Sequence, residues 1–247
     1  MAIYIAAHKA FAVPQEPGYV PLQVGAEGKA LLGYTPDNTG ENISAKNPHY
    51  CELTGVYWIW KNTADEYKGL VHYRRYFRGK DGRLTETEVK DLLSRYDAVL
   101  PRPEYLRESA YEEFYLHSGY EKDLISLRCA VETVDPAVLP AYDRVMSGNR
   151  LSLYNMMIAN GQEFDAYCAW LFAVLEELEK SVDMTGYTPY QQRLYGFLSE
   201  RLLNVWVAHR GLQVKYLKVF NTEQTLSGRL RLWARRQKNR VLFACKK

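Results

Sequence analysis

Short apolar runs alternate along this chain with stretches whose apolar residues recur every three to four positions, and that alternation narrows the fold more than any other feature. Ala2-Ile3-Tyr4-Ile5-Ala6-Ala7 reads as a buried strand, Gly69-Leu70-Val71-His72-Tyr73 as a second, and Asp97-Ala98-Val99-Leu100-Pro101 as a third stopped by proline. Leu153 to Ile158 and Val214 to Phe220 read as the remaining strands. Between them, Leu53, Val56, Tyr57 and Trp60 place an amphipathic helix over about 50–62. Thr85, with Glu88 three residues on, has capping-box spacing and opens a helix over 85–95. One helix is expected over 109–133 and another near 136–147. A strongly amphipathic one spans 163–180, carrying Trp170, Leu171, Phe172, Val174, Leu175 and Leu178, and a long one spans 189–209. Strands alternating with helices predict an α/β fold, a mixed central sheet flanked by helices. With no internal repeat and no clean linker, the expectation is a single domain over 1–225 followed by a tail over 226–247.

With 47% apolar residues in 247, the chain can fill a substantial core, which excludes disorder. Cys51, Cys129, Cys168 and Cys245 are far apart and form no CxxC or Cys/His cluster, which argues against a zinc site or a disulfide framework. Cys51 and Cys168 fall in helical apolar patterns, as small core residues do. The first residues lack the basic flank of a signal peptide, and no apolar run reaches membrane-spanning length, so a cytoplasmic protein is expected. Twenty tyrosines and five tryptophans suit flat polar ligands such as sugars, and equally suit an ordinary core.

Charge is unevenly spread. Between Leu226 and Lys247 stand eight basic residues and no acidic one, interleaved with Leu230, Leu232, Trp233, Val241, Leu242 and Phe243. A basic amphipathic helix with a tryptophan fits an anionic membrane surface. The bland alternative is a solvated terminus. Nucleic acid is not expected as a partner, because no recognised nucleic-acid fold or aromatic basic groove accompanies the charge.

Chemistry concentrates in His72-Tyr73-Arg74-Arg75-Tyr76-Phe77, directly after an apolar strand. Continued strand periodicity would put His72, Arg74 and Tyr76 on one face. Arginines at the carboxyl end of a sheet strand stand where open α/β sheets bind ligands, and their planar forks match phosphate oxygens. A structural arginine pair neutralised by nearby acids remains the alternative. Upstream, residues 12–49 are rich in Pro, Gly, Asn and Asp and read as a long loop. Its Asp37 to Asn47 portion is dense in hydrogen-bonding side chains that either bind a ribose, base edge or phosphate, or merely cap and turn.

Several blocks together resemble a known family: Asn42-Ile43-Ser44, Lys46-Asn47, Glu52-Leu53-Thr54, Tyr57-Trp58-Ile59-Trp60-Lys61-Asn62 and Gly69 through Phe77. Asn155-Met156, Tyr167 through Phe172 and Gly196 through Leu203 continue the match, which covers roughly residues 2–220. The family occurs in capsular and exopolysaccharide gene clusters and was long catalogued as a domain of unknown function. Its members have been assigned as glycosyltransferases, notably galactofuranosyltransferases. The resemblance implies a GT-A-like fold and transfer of a sugar, galactofuranose being one candidate, from a UDP-sugar to a lipid-linked glycan. The work would be done at the cytoplasmic face of the cell membrane. The Asp-x-Asp triplet that normally holds a divalent metal in such folds is absent, and Glu86-Thr87-Glu88 is a poor substitute.

No metal is therefore expected to be required, with His72, Arg74 and Arg75 in its place. Further candidates for substrate binding are His8, Asn42, Lys46, Asn47, Tyr76, Asn155 and Arg201. An inverting transfer needs a general base. Glu200 is the first candidate, with Asp123 and His117, taken as neighbours on one helix, as the alternative. Glu200 and Arg201 could instead be a buried ion pair. A non-catalytic scaffold of the polysaccharide assembly machinery is the competing reading of the whole chain.

Overall fold

The computed structural model describes residues 1–244, apart from the side chains of Leu226, Arg229 and Ala244, and Cys245 lies outside that range with the last two lysines. The chain divides into two compact units: Met1–Arg102, Tyr154–Ala169 and Leu212–Thr222 make the first, and Pro103–Leu153, Trp170–Gly211 and Glu223 onward the second. Together they give the expected α/β architecture with a mixed sheet and flanking helices.

In chain order the first unit forms β1 (Ala2–Ala7), β2 (Tyr19–Gln23), β3 (Thr35–Pro36), α1 (Asn47–Tyr50), α2 (Leu53–Asn62), β4 (Tyr67–His72), β5 (Arg75–Phe77), α3 (Glu86–Leu93) and β6 (Ala98–Pro101). The second unit supplies β7 (Glu104–Tyr105), α4 (Ala110–His117), α5 (Glu121–Val134), α6 (Leu139–Ser147) and β8 (Arg150–Leu151). Next come β9 (Met157–Asn160) in the first unit, α7 (Gly161–Glu179), which begins in the first and ends in the second, and α8 (Leu194–Arg210) in the second. Strands β10 (Val214–Leu217) and β11 (Val219–Asn221) return to the first unit, and α9 (Leu226–Ala244) closes the second.

The sheet of the first unit runs β10-β6-β9-β4-β1-β2-β3, with β5 pairing β4 and β11 pairing β5. Strands β3, β2, β1 and β4 are mutually parallel, whereas β9 runs antiparallel to both β4 and β6. Every residue of β1 is buried, as expected of a strand with parallel neighbours on both edges, and that is why it reads as an unbroken apolar run. Ile3, Ile5, Val71, Val99 and Ile158 form the core of this unit with Tyr76, Phe77 and Val89. Helix α2 lies close on the sheet. A Cβ at Gly55 would fall 2.8 Å from Val24 Cγ1 and 3.1 Å from Leu22 Cδ2, so glycine there sets the helix-to-strand spacing. The Thr85–Glu88 capping box opens α3 as read from the sequence.

Two local expectations are corrected. The helix expected over 109–133 is two helices, α4 and α5, broken at Ser118–Tyr120. A Cβ at Gly119 would meet the Phe114 ring at 2.5 Å, so the break packs where a continuing helix could not. The strand expected from Leu153 starts only at Met157, because Tyr154 and Asn155 hold left-handed φ angles of 77° and 49°.

The second unit is a helical layer built on Phe114, Leu124, Leu127, Val131, Tyr142, Leu175, Leu198 and Leu202. At its centre Arg201 is 2% exposed. Its Nε donates to Ala110 O at 3.1 Å, its Nη1 to Phe197 O at 3.0 Å, and its Nη2 pairs with the Glu113 carboxylate. The expected ligand-binding arginine is thus fully occupied within the unit, and its ion pair is with Glu113 rather than Glu200. Removing one partner of a buried pair leaves the other uncompensated at a cost of roughly 3–5 kcal/mol. Arg201→Ala is expected to lower the unfolding free energy by about 3 kcal/mol or more in urea titration, whereas an exposed control such as Arg95→Ala shifts it by less than about 1 kcal/mol.

Candidate active site

Strand β4 ends at His72, and the chain turns through Tyr73 and Arg74 into β5, so His72 and Arg75 are directly opposed partners of an antiparallel pair. Opposed residues share a face. This corrects the expectation that His72 would align with Arg74 and Tyr76: the tight turn ends the strand period. Tyr76 points into the core at 1% exposure, its hydroxyl donating to Tyr73 O at 3.0 Å.

Both members of the pair engage Tyr154. His72 Nε2 lies 2.7 Å from Tyr154 O, and the Arg75 guanidinium sits over the Tyr154 ring, 4.6 Å from its centroid. Among the described residues Arg75 makes no ion pair. Next to it, Tyr73 gathers a second set of basic groups: His8 edge-on at 5.3 Å, Lys9 Nζ at 5.1 Å and the Arg74 guanidinium at 5.5 Å. Residues 8 and 9 follow the carboxyl end of β1, which pairs in parallel with β4, and Tyr73 N donates to Ala6 O at 3.1 Å. Two neighbouring parallel strands therefore deliver His8, Lys9, His72, Arg74 and Arg75 to one edge of the sheet, where such sheets bind ligands. Burial is the largest influence on His72 and holds its imidazole below the ordinary pKa, opposed by Glu52 and the Tyr154 carbonyl and reinforced by Arg75 and Arg74. A neutral ring with Nε2 facing a carbonyl carries its proton on Nε2.

Opposite this basic edge stands Glu52, at the start of α2. One of its oxygens accepts from Asn155 Nδ2 at 2.7 Å. The residue before it, Cys51, holds φ 53° and ψ −131°, and Asn47 fixes that turn. Asn47 Nδ2 donates to Cys51 O at 2.7 Å and to Thr54 Oγ1 at 3.2 Å, while Cys51 N donates to Asn47 O at 2.8 Å. The expectation that Cys51 sits within a helical pattern is corrected accordingly: it is the hinge between α1 and α2. Cys51, Tyr154 and Asn155 are all of the non-glycine residues with positive φ among those described. Each such conformation costs on the order of 1–3 kcal/mol and persists where surrounding structure over-determines it. All three border the Glu52–His72 cluster.

The 24–47 loop is organised from within. Asp37 is fully buried and accepts from Gly25 N at 2.8 Å, from Ala26 N at 2.9 Å and from the Ser44 hydroxyl. Gly25 is required here: its φ is +62°, and a Cβ would lie 2.3 Å from the Asn47 side chain. Asn42 shapes the loop, donating to Gly40 O at 3.0 Å and accepting from Ser44 N at 3.2 Å. Lys46 is exposed, its Nζ 5.4 Å from the Tyr50 centroid. A cavity of about 400 Å³ opens at the other end of β4, around Lys68 and Asp165, and contains none of the expected residues.

The remaining candidates belong to the second unit. His117 is exposed at the end of α4, and Asp123 is buried in the first turn of α5, so the two do not share a helix as expected. Asp123 accepts from Tyr187 Oη at 2.7 Å and Tyr120 N at 3.1 Å, as a structural carboxylate does. Glu200 lies partly exposed on α8, its carbonyl accepting from Asn204 Nδ2 at 2.7 Å. Sequence reasoning thus found the basic edge and Asn155 but missed Lys9, Tyr154 and Glu52. Glu52 lay inside a block noted only for its resemblance, and nothing in its spacing marks it. Among the described residues no three His, Cys, Asp or Glu side chains converge.

Comparison with family models matches residues 2–211 to the family described as Domain of unknown function (DUF4422). Comparison with curated proteins gives no match. Among solved structures, the apo structure of WbbM, a bifunctional glycosyltransferase, superposes with a TM-score of 0.84 at 26% identity. That match covers 91% of this chain and 45% of the other, so the chain spans less than half the length of the protein it resembles.

The depressed pKa of His72 makes a signed expectation about stability. The imidazole protonates near pH 6.5 when unfolded and resists protonation when folded, so the unfolded state binds more protons and stability falls as pH drops below about 6.5. Between pH 7.5 and 5.5, wild type is expected to lose stability relative to His72→Gln in urea titrations. Parallel pH profiles for the two proteins would contradict a lowered imidazole pKa in the folded state.

Proposed function

This chain belongs to the DUF4422 family, and on that premise we propose that it is a glycosyltransferase taking its sugar from a UDP-sugar. The observation that carries this reading is the basic edge beside a carboxylate: His72, Arg74 and Arg75, with His8 and Lys9, next to Glu52. Likeness to the bifunctional glycosyltransferase WbbM supports it, and so does a sheet order compatible with a GT-A-like fold. A departing nucleoside diphosphate gathers negative charge that fixed donors must stabilise. Arg74 and Arg75 supply that stabilisation at the carboxyl edge of β4, in place of the divalent metal that an Asp-x-Asp triplet would hold. Stacked on Tyr154, the Arg75 guanidinium is pre-oriented and keeps its donors for an anion.

The acceptor in this reading is a lipid-linked glycan of capsule, exopolysaccharide or O-antigen synthesis, with inversion at the transferred carbon, and galactofuranose is one candidate for the sugar. Work at the cytoplasmic face of the membrane follows from such an acceptor. Helix α9 supports the location. Its inner side is docked within its unit, Arg236 pairing with Glu104 and Asn239 Nδ2 donating to Tyr105 O at 2.9 Å. Leu230, Trp233 and Val241, at helical spacing on the other side, are 69%, 61% and 62% exposed. Exposed Arg231, Arg235, Lys238 and Arg240 flank them. No described helix is long and apolar enough to cross a membrane.

Two measurements test this reading. Calorimetric titration with UDP is expected to show binding with or without manganese, weakened at least about tenfold in the Arg74→Ala, Arg75→Ala double variant, as losing charged hydrogen bonds worth ~1.5–3 kcal/mol each requires. No binding under either condition would favour the scaffold reading, and binding only with manganese would remove the arginines from the diphosphate role. In vesicle co-sedimentation, the protein is expected to bind membranes containing phosphatidylglycerol over neutral ones. A Leu230→Glu, Trp233→Glu variant should lose about tenfold or more, since each buried apolar side chain contributes ~1.5–3 kcal/mol.

A further inference from the structure

We infer that Glu52 is the general base that takes the proton of the acceptor hydroxyl, an assignment that rests on the transferase reading above. Of its two carboxylate oxygens, Oε1 is held by Asn155 Nδ2 at 2.7 Å, while Oε2 accepts no hydrogen bond from the described residues. A base needs that arrangement: one oxygen to fix the orientation and one to receive the proton. His72, the nearest alternative, has its Nε2 committed to Tyr154 O at 2.7 Å. Glu52 is partly exposed at the rim of the basic edge, with Oε1 alone engaged by Asn155.

The backbone is distorted on both sides of this carboxylate. Cys51 (φ 53°) immediately precedes Glu52, and Tyr154 and Asn155 (φ 77° and 49°) bring in the amide that holds it. A carboxylate serving only to neutralise the arginines would be served equally well by a relaxed turn. Distortion at both contact points is what fixing one oxygen vector requires. Asn47, which ties Cys51 O at 2.7 Å, and Asn155 are positioning residues in this scheme.

The step balances as a single displacement. The acceptor oxygen forms a bond to the anomeric carbon as its proton passes to Glu52 Oε2. The bond from that carbon to the donor phosphate oxygen breaks, and its electron pair leaves with UDP toward Arg74 and Arg75. In the slower hydrolysis that most transferases allow, water takes the acceptor's place.

The test is UDP release from UDP-galactofuranose, UDP-galactose and UDP-glucose, with water and with octyl β-D-galactopyranoside as acceptors, for wild type, Glu52→Gln and Glu52→Asp. Calorimetric UDP binding is measured in parallel. Glutamine keeps the oxygen that accepts from Asn155 and so preserves the turn. Glu52→Gln is expected to bind UDP within about threefold of wild type while kcat falls about 10²–10⁴-fold, the range for losing a general base. The acidic limb of the pH–rate profile should vanish with it. Glu52→Asp should retain that limb at an intermediate rate. Glu52→Gln turning over within about threefold of wild type would overturn the inference and leave the transferase reading standing. So would loss in Glu200→Gln alone, or loss of UDP binding in a folded Glu52→Gln. A wild-type protein that cleaves none of these donors would count against both.

Discussion

A single hydrogen bond, from Asn155 to Glu52, joins segments 103 residues apart and decides the geometry of everything around it. For that bond to form, β9 must be preceded by two residues in left-handed conformations, and α2 must begin directly after a third. Such backbone is tolerated only because other contacts outweigh its cost: Asn47 grips the Cys51 carbonyl, and His72 meets the Tyr154 carbonyl from the opposite strand. Asp37 and Gly25 serve the same end one layer further out, by fixing the loop against which Asn47 packs.

Electrostatics follow from that frame. Two parallel strands ending side by side place His8 and Lys9 near Arg74, and the β4–β5 turn sets Arg75 across from His72. So much positive charge at a sheet edge is costly unless it is solvated, stacked or met by an anion. Tyr73 and Tyr154 supply stacking faces, which orient guanidinium groups without consuming their in-plane donors. In the proposed reaction a diphosphate is the anion that Arg74 and Arg75 meet. A neutral His72 adds a hydrogen-bonding group to this edge without adding to its repulsion.

Much of the fold was legible because burial on two faces leaves an unmistakable trace: Ala2–Ala7 could hardly be anything but a central strand, and the Thr85–Glu88 spacing announced α3. What escaped was set by long-range contacts. Gly119 breaks the helix expected over 109–133 because Phe114 fills the space beside it, and no periodicity signals that. Tyr154 and Asn155 looked like strand residues, and their left-handed backbone is imposed by partners more than eighty positions away. The site divided along the same line. A run of basic residues after an apolar strand is visible locally, so His72, Arg74 and Arg75 could be read, whereas Glu52 acquires its meaning only through Asn155. Arg201 misled for the converse reason: an arginine in an apolar helix suggests a ligand, yet its partners Ala110 and Glu113 lie about ninety residues upstream.

The most direct test of the central claim, that the donor site is this basic edge, is amide hydrogen exchange with and without saturating UDP. The account predicts slowed exchange at residues 8–9, 51–53, 72–76 and 154–156, with the α4–α5 junction and the 200–204 stretch of α8 unchanged. Protection centred instead on residues 117–123 and 200–204 would contradict it and move the chemistry to the second unit.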